Sequence, residues 1–148
     1  AEFYDTKIAP HIDGKSVVLS GYLEGKAKSD FIKKAKAFIF PLRWEEPFGL
    51  VMIEAAACGV PVIAYNHGSV SEIVIDGVTG FVIEEQQGAD VSNRQIKKTG
   101  LAGIVEAIGR IGEIDRAACR KLAEEKFSIE RMVSDHEQLY QSLISPNK

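Results

Sequence analysis

Hydrophobic residues in this chain gather in four short runs: Val17-Val18-Leu19, Ala37-Phe38-Ile39-Phe40, Pro61-Val62-Ile63-Ala64-Tyr65 and Gly80-Phe81-Val82-Ile83. Each run is apolar at successive positions, which predicts strands buried on both faces. Between them the spacing turns helical. Ser29 is placed to cap a helix through about Lys34, with Phe31, Ile32 and Ala35 on one side. Pro47 suits a first helical position, because its φ is fixed and its missing N–H costs nothing there; that helix runs to about Cys58 and Gly59 ends it. Ser69-Val70-Ser71-Glu72 has the spacing of a capping box opening a short helix, and Asp76-Gly77 makes a turn before the fourth run. Strands alternating with helices in this way predict an α/β fold, a Rossmann-like parallel sheet with helices on both faces.

The remaining pattern adds a shell around that sheet. Residues 1–12 read as a helix tail interrupted at Pro10, and 84–99 as a polar surface loop. Three C-terminal helices follow. Leu101, Ile104, Val105 and Ile108 mark the first, and Ala117, Ala118, Leu122 and Ala123 the second. Ser128 caps the third, with Met132, Leu139, Tyr140 and Leu143 inward. At 148 residues this is one domain's worth of chain, enough for a proper core. A net charge of −3 gives no reason to expect nucleic acid or an anionic membrane as partner. No run approaches the ~20 apolar residues of a membrane span. Cys58 and Cys119 are too few and too far apart for a metal site, so no metal is expected and a reducing cytoplasm is the default.

The chemistry concentrates in Phe40–Glu54, FPLRWEEPFGLVMIE. Glu46 stands at the mouth of the helix, beside the unpaired N–H groups of Phe48, Gly49 and Leu50. A helix N-terminus is a ready anion site, and Gly49 lets a ligand come close to the backbone. Glu54 lies two turns on, roughly 10 Å down the axis at ~1.5 Å per residue. The helix is apolar nearly all round, which predicts that it is buried and that Glu54 needs a partner. Two carboxylates with N–H donors between them suit a sugar hydroxyl, a phosphate and a ribose diol. Ligands in parallel sheets bind beyond the carboxyl ends of the strands, where Tyr22, Glu46 and the Asn66-His67-Gly68 loop are expected. His67 itself reads as a surface or packing residue.

Glu46-x7-Glu54 within WEEPFGLVMIEAAACGVPVIA resembles the E-x7-E signature of retaining family 4 glycosyltransferases, enzymes of the two-Rossmann GT-B architecture. The blocks VVLSGYL, SEIVIDGVTGFV and KFSIERMVSDHEQLY resemble further parts of the C-terminal, donor-binding domain of that family. The resemblance implies that Glu46 is catalytic and contacts sugar hydroxyls. It implies that Phe48 and Gly49 offer N–H groups to the sugar, and Leu50 and Val51 to the diphosphate. Glu54 would hold the ribose hydroxyls, with Tyr22 and Leu23 near the base. The family's Gly-Arg-x4-Lys-like segment and its acceptor domain have no counterpart, and His67-Gly68 stands where many members have Gly-Gly. Residues 1–148 therefore read as one donor-binding domain, a fragment without its first strand–helix units and its N-terminal acceptor domain.

The implied function is transfer of a sugar from a nucleotide-diphosphate sugar, with retention, to a sugar, lipid or polysaccharide acceptor held by the missing domain. The nucleotide sugar is a substrate, and no further cofactor is implied. The full-length enzyme is expected in the cytoplasm or at the membrane periphery, and the isolated fragment is expected to be inactive. Two other readings stay open: a non-catalytic nucleotide-binding or interaction module, and a GT-B sugar-nucleotide epimerase or phosphorylase. The spacing of Glu46 and Glu54 favours transfer.

Overall fold

A computed structural model of the chain describes residues 2–144. Three parallel strands, β1 (Phe38–Phe40), β2 (Val62–Tyr65) and β3 (Gly80–Ile83), lie side by side in sequence order. Phe38 pairs with Val62 and Val62 with Gly80, so the three carboxyl ends share one edge. At Gly80 there is no room for a side chain: a Cβ there would run into the Val62 carbonyl.

The strand period divides the core. Val62, Ala64 and Val82 face one cluster with Met52, Ala55 and Ile73. Ile63, Tyr65, Phe81 and Ile83 face a second with Ile96, Ile104 and Ala107. Helices α1 (Gly25–Lys33), α2 (Leu50–Ala57) and α3 (Val70–Ile73) cover the first face. Helix α4 (Gly100–Arg110) covers the second, and α5 (Arg116–Lys126) packs on α2. The architecture is the expected Rossmann-like α/β arrangement.

Helix ends account for much of the cohesion. Gly59, at φ +67°, closes α2: its N–H bonds the Ala56 carbonyl at 2.8 Å, and Val60's bonds that of Ala55 at 2.9 Å. This is a Schellman ending, which satisfies carbonyls a helix leaves without partners. Arg120 on α5 donates to the Ala57 carbonyl at 2.6 Å. Arg116 donates to Ala35 at 2.7 Å and Lys33 at 3.0 Å, at the end of α1. A guanidinium there satisfies orphan carbonyls and meets the negative end of the helix dipole.

Five sequence expectations are corrected. The run 17–19 forms no strand, and its side chains are exposed. Asp13 Oδ1 accepts from the N–H groups of Lys15, Ser16 and Val17, so a local turn takes the first donor of the run. Those bonds, Val17's foremost, hold the Asp13 carboxyl down at about 2. Helix α1 starts at Gly25, ahead of Ser29, whose hydroxyl bonds back to the Lys26 carbonyl at 3.0 Å instead of capping. Helix α2 starts at Leu50 and not Pro47, because Gly49 at φ +73° occupies a left-handed conformation no helix interior accepts. Ser69 precedes α3 but makes no side-chain cap. The apolar sides of the outer helices are also turned from expectation. Leu101, Val105 and Ile108 are exposed while Gly103, Ile104 and Ala107 point inward. In α6 (Ile129–Ile144) Met132, Leu139, Tyr140 and Leu143 are exposed, although Ser128 does cap it, 3.2 Å from the Arg131 N–H.

Gly80→Ala is expected to cost about 1–3 kcal/mol, the usual penalty of overpacking, because the added methyl opposes backbone that cannot retreat. A urea titration following helical circular dichroism measures it; an unchanged midpoint would mean that β2 and β3 have room to part.

Candidate active site at the carboxyl edge of the sheet

The chain leaving β1 passes Arg43, Trp44, Glu45 and Glu46 and turns at Pro47–Phe48 into α2. Gly49 is the pivot. Its left-handed conformation turns the chain, and a Cβ on it would strike the Met52 side chain. The Glu46 carboxylate lies across this turn, accepting from the Gly49 N–H at 3.3 Å and from the Trp44 indole at 3.1 Å. The expected pairing of a carboxylate with the mouth of the helix is therefore present. The loop after β2 locks against it: Ser69 N–H donates to the Glu46 carbonyl at 3.0 Å. Gly68, at φ +52°, lies so close that a Cβ would meet Glu46 backbone atoms. The hydroxyl of Ser69, buried beneath Gly49, has no partner among the described residues.

Glu46, Phe48, Gly49, Leu50 and Val51 line one cavity of about 280 Å³, completed by Phe40 and Leu42. Five of the eight residues singled out by the sequence thus surround a common space. The other three stand apart. Glu54 is on the same side of α2 but does not reach this cavity, and Tyr22, 87% exposed, and Leu23 belong to the irregular segment before α1.

The expectation that α2 is buried all round, and Glu54 with it, is corrected. Leu50 is 64% and Val51 41% exposed, and the Glu54 side chain is 38% exposed. A helix covering one face of a three-stranded sheet buries only the side toward the strands, here Met52, Ala55 and Ala56. Glu54 does have a partner, the Lys28 ammonium on α1, 2.5 Å away. Sequence reading missed Lys28, since no local spacing links it to Glu54.

His67, read as a surface or packing residue, joins three loops. Its Nδ1 is 3.3 Å from Glu45 and its Nε2 2.9 Å from Glu85, beyond the end of β3. Arg43 reaches the same Glu85 at 2.9 Å, and Gly68's N–H donates to Glu45. Glu84 is held separately by Asn66 at 2.9 Å and Arg94 at 2.7 Å. Glu85 foremost, then Glu45, raises the His67 imidazole above its ordinary value, and Gly68's N–H with His67 lowers the Glu45 carboxyl. A raised pKa means that folding favours the charged ring. Its stabilisation is fully present below the unfolded value, ~6.5, and fades as pH rises through the native value. His67→Gln should accordingly cost about 1 kcal/mol near pH ~5.5 and much less near pH ~9. Urea midpoints of the two proteins across that range measure it; a pH-independent difference would show that His67 stays neutral.

Comparison with known proteins places this edge in context. The chain is 33% identical over 104 residues to N-acetyl-alpha-D-glucosaminyl L-malate synthase of Bacillus anthracis, a match covering 70% of this chain and 26% of that protein. Sucrose-phosphate synthase of Thermosynechococcus elongatus superposes with a TM-score of 0.66 at 28% identity, covering 90% of this chain and 32% of that one. HepE of Anabaena, solved with UDP-glucose, superposes with a TM-score of 0.57 at 22% identity, covering 88% and 33%. The chain thus spans about a quarter to a third of the length of these three proteins. Residues 6–102, including the whole Glu46 turn and α2, match the family described as glycosyl transferases group 1. The chain belongs to that glycosyltransferase family and has the fold of a GT-B C-terminal domain.

Proposed function

We propose that this chain is the donor-binding part of a retaining, family 4-type glycosyltransferase that moves a sugar from a nucleotide diphosphate to an acceptor held by another domain. The observation that carries the reading is the Glu46 carboxylate set across the first turn of α2, on a cavity shared with Phe48, Gly49, Leu50 and Val51. The leading N–H groups of that helix have no acceptors within it. They supply fixed positive dipole where the departing diphosphate gathers negative charge, which is the chief demand of the reaction. Glu46 in this reading contacts the hydroxyls of the sugar, and Glu54 takes the ribose. Tyr22 and Leu23 stand toward the base. That HepE was solved with UDP-glucose supports a nucleotide-sugar donor for the family's fold. The acceptor is a sugar, lipid or polysaccharide, and the working compartment is the cytoplasm or its membrane surface. Among the described residues no helix is long and apolar enough to cross a membrane.

The test is titration with UDP, GDP and ADP and their glucose derivatives, followed by saturation-transfer NMR, and transfer assays in the protein that carries the acceptor domain. One diphosphate is expected to bind. Glu46→Gln should lower transfer by roughly 10²-fold or more. Glu54→Gln should weaken nucleotide binding roughly tenfold, by replacing a charge-assisted hydrogen bond with a neutral one. It should shift the melting midpoint little, since a surface ion pair is worth about 0–1 kcal/mol. Failure of all three diphosphates to bind would overturn the reading, and a product of inverted anomeric configuration would overturn retention.

A further inference from the structure

Among the described residues, Lys28–Glu54 is the charged pair that joins a residue of the proposed donor site to a helix outside its signature turn. Glu54 uses only Oε1 for this bond, 2.5 Å from Lys28 Nζ; its Oε2 has no partner among the described residues. The two side chains are 39% and 38% exposed, so the free oxygen is within reach of a ligand. The backbone around each is fixed independently: α1 and α2 both have their C-terminal carbonyls tied to arginines of α5.

We propose that Lys28 is the positioning residue that makes Glu54 a diol receptor, the diol being the vicinal 2′,3′-hydroxyls of a nucleotide ribose. The inference rests on the donor-site reading above. A carboxylate that must accept hydrogen bonds from two adjacent hydroxyls has to hold one orientation. Lys28 supplies this by fastening Oε1, which leaves Oε2 turned to the ligand. Glu54 in turn raises the Lys28 ammonium above its ordinary value, so the pair persists across the neutral range. Lys28 touches the ligand nowhere in this scheme and acts through Glu54.

The experiment compares UDP, GDP and ADP with their 2′,3′-dideoxy analogues, by calorimetric titration, on the wild-type chain and on Lys28→Met, Lys28→Arg, Glu54→Gln and the double variant Lys28→Met/Glu54→Gln. Lys28→Met should weaken binding of the ribose diphosphate about three- to tenfold. It should leave the already weaker dideoxy analogue unchanged, and the double variant should lose no more than Glu54→Gln alone. Lys28→Arg should recover most of the affinity. Equal losses for ribose and dideoxy ligands would mean that Lys28 serves the diphosphate, and would overturn the proposal. So would an unchanged affinity in Lys28→Met. Failure of the wild-type chain to bind any of the three ribose diphosphates would instead overturn the donor-site reading beneath it. Melting curves confirm that each variant is folded; both residues are exposed enough that substitution leaves the core untouched.

Discussion

The candidate site depends on one backbone contact between two loops. The turn after β1 and the turn after β2 meet where Gly68 lies against Glu46 and where the Ser69 N–H bonds the Glu46 carbonyl. No side chain could stand at Gly68 without forcing them apart. The contact aims the Glu46 carboxylate across the mouth of α2, because it fixes the peptide on either side of it. Gly49 then completes the geometry by sending the chain into the helix through a left-handed residue. Parallel strands deliver both loops to the same edge, but the two glycines convert nearness into register.

Charge at that edge is arranged unusually for a surface expected to receive an anion. Glu45, Glu46, Glu84 and Glu85 all gather there, yet most are already engaged. Glu84 is held by Asn66 and Arg94, and Glu85 by Arg43 and His67. Glu45 is taken by Gly68 and His67, and Glu46 faces the helix mouth. The carboxylates therefore act as fasteners between loops more than as a repelling wall. Such exposed pairs are individually weak, but a network linking three loops restricts each loop by way of the others.

Much of this was legible in the residues, and the failures have physical causes. Strands β1 to β3 stood out because runs apolar on both faces have few other homes, and the Glu46 cavity followed from a proline, a glycine and a carboxylate in close succession. Val17–Leu19 misled because apolarity alone does not make a strand: a strand needs a neighbour, and Asp13 draws the start of the run into a local turn. Glu54 misled for a related reason. A short apolar helix looks buried on every side until the width of the sheet beneath it is known. Lys28, Arg116 and Arg120 were invisible, since each makes its defining bond to a residue more than two dozen positions away. Side chains that act across elements leave no local period.

The arginines of α5 have a mechanical consequence. By gripping the carbonyl ends of both α1 and α2, a single helix acts as a crossbar that fixes the spacing of two others. Lys28 and Glu54 ride on those two helices, so the gap between them behaves as a gauge of set width rather than a hinge. A gauge rewards a ligand for its shape and does not adapt to a poor one. In the proposed donor-site reading, selectivity on this side of the molecule would belong to the scaffold, written into a helix that lies behind the site.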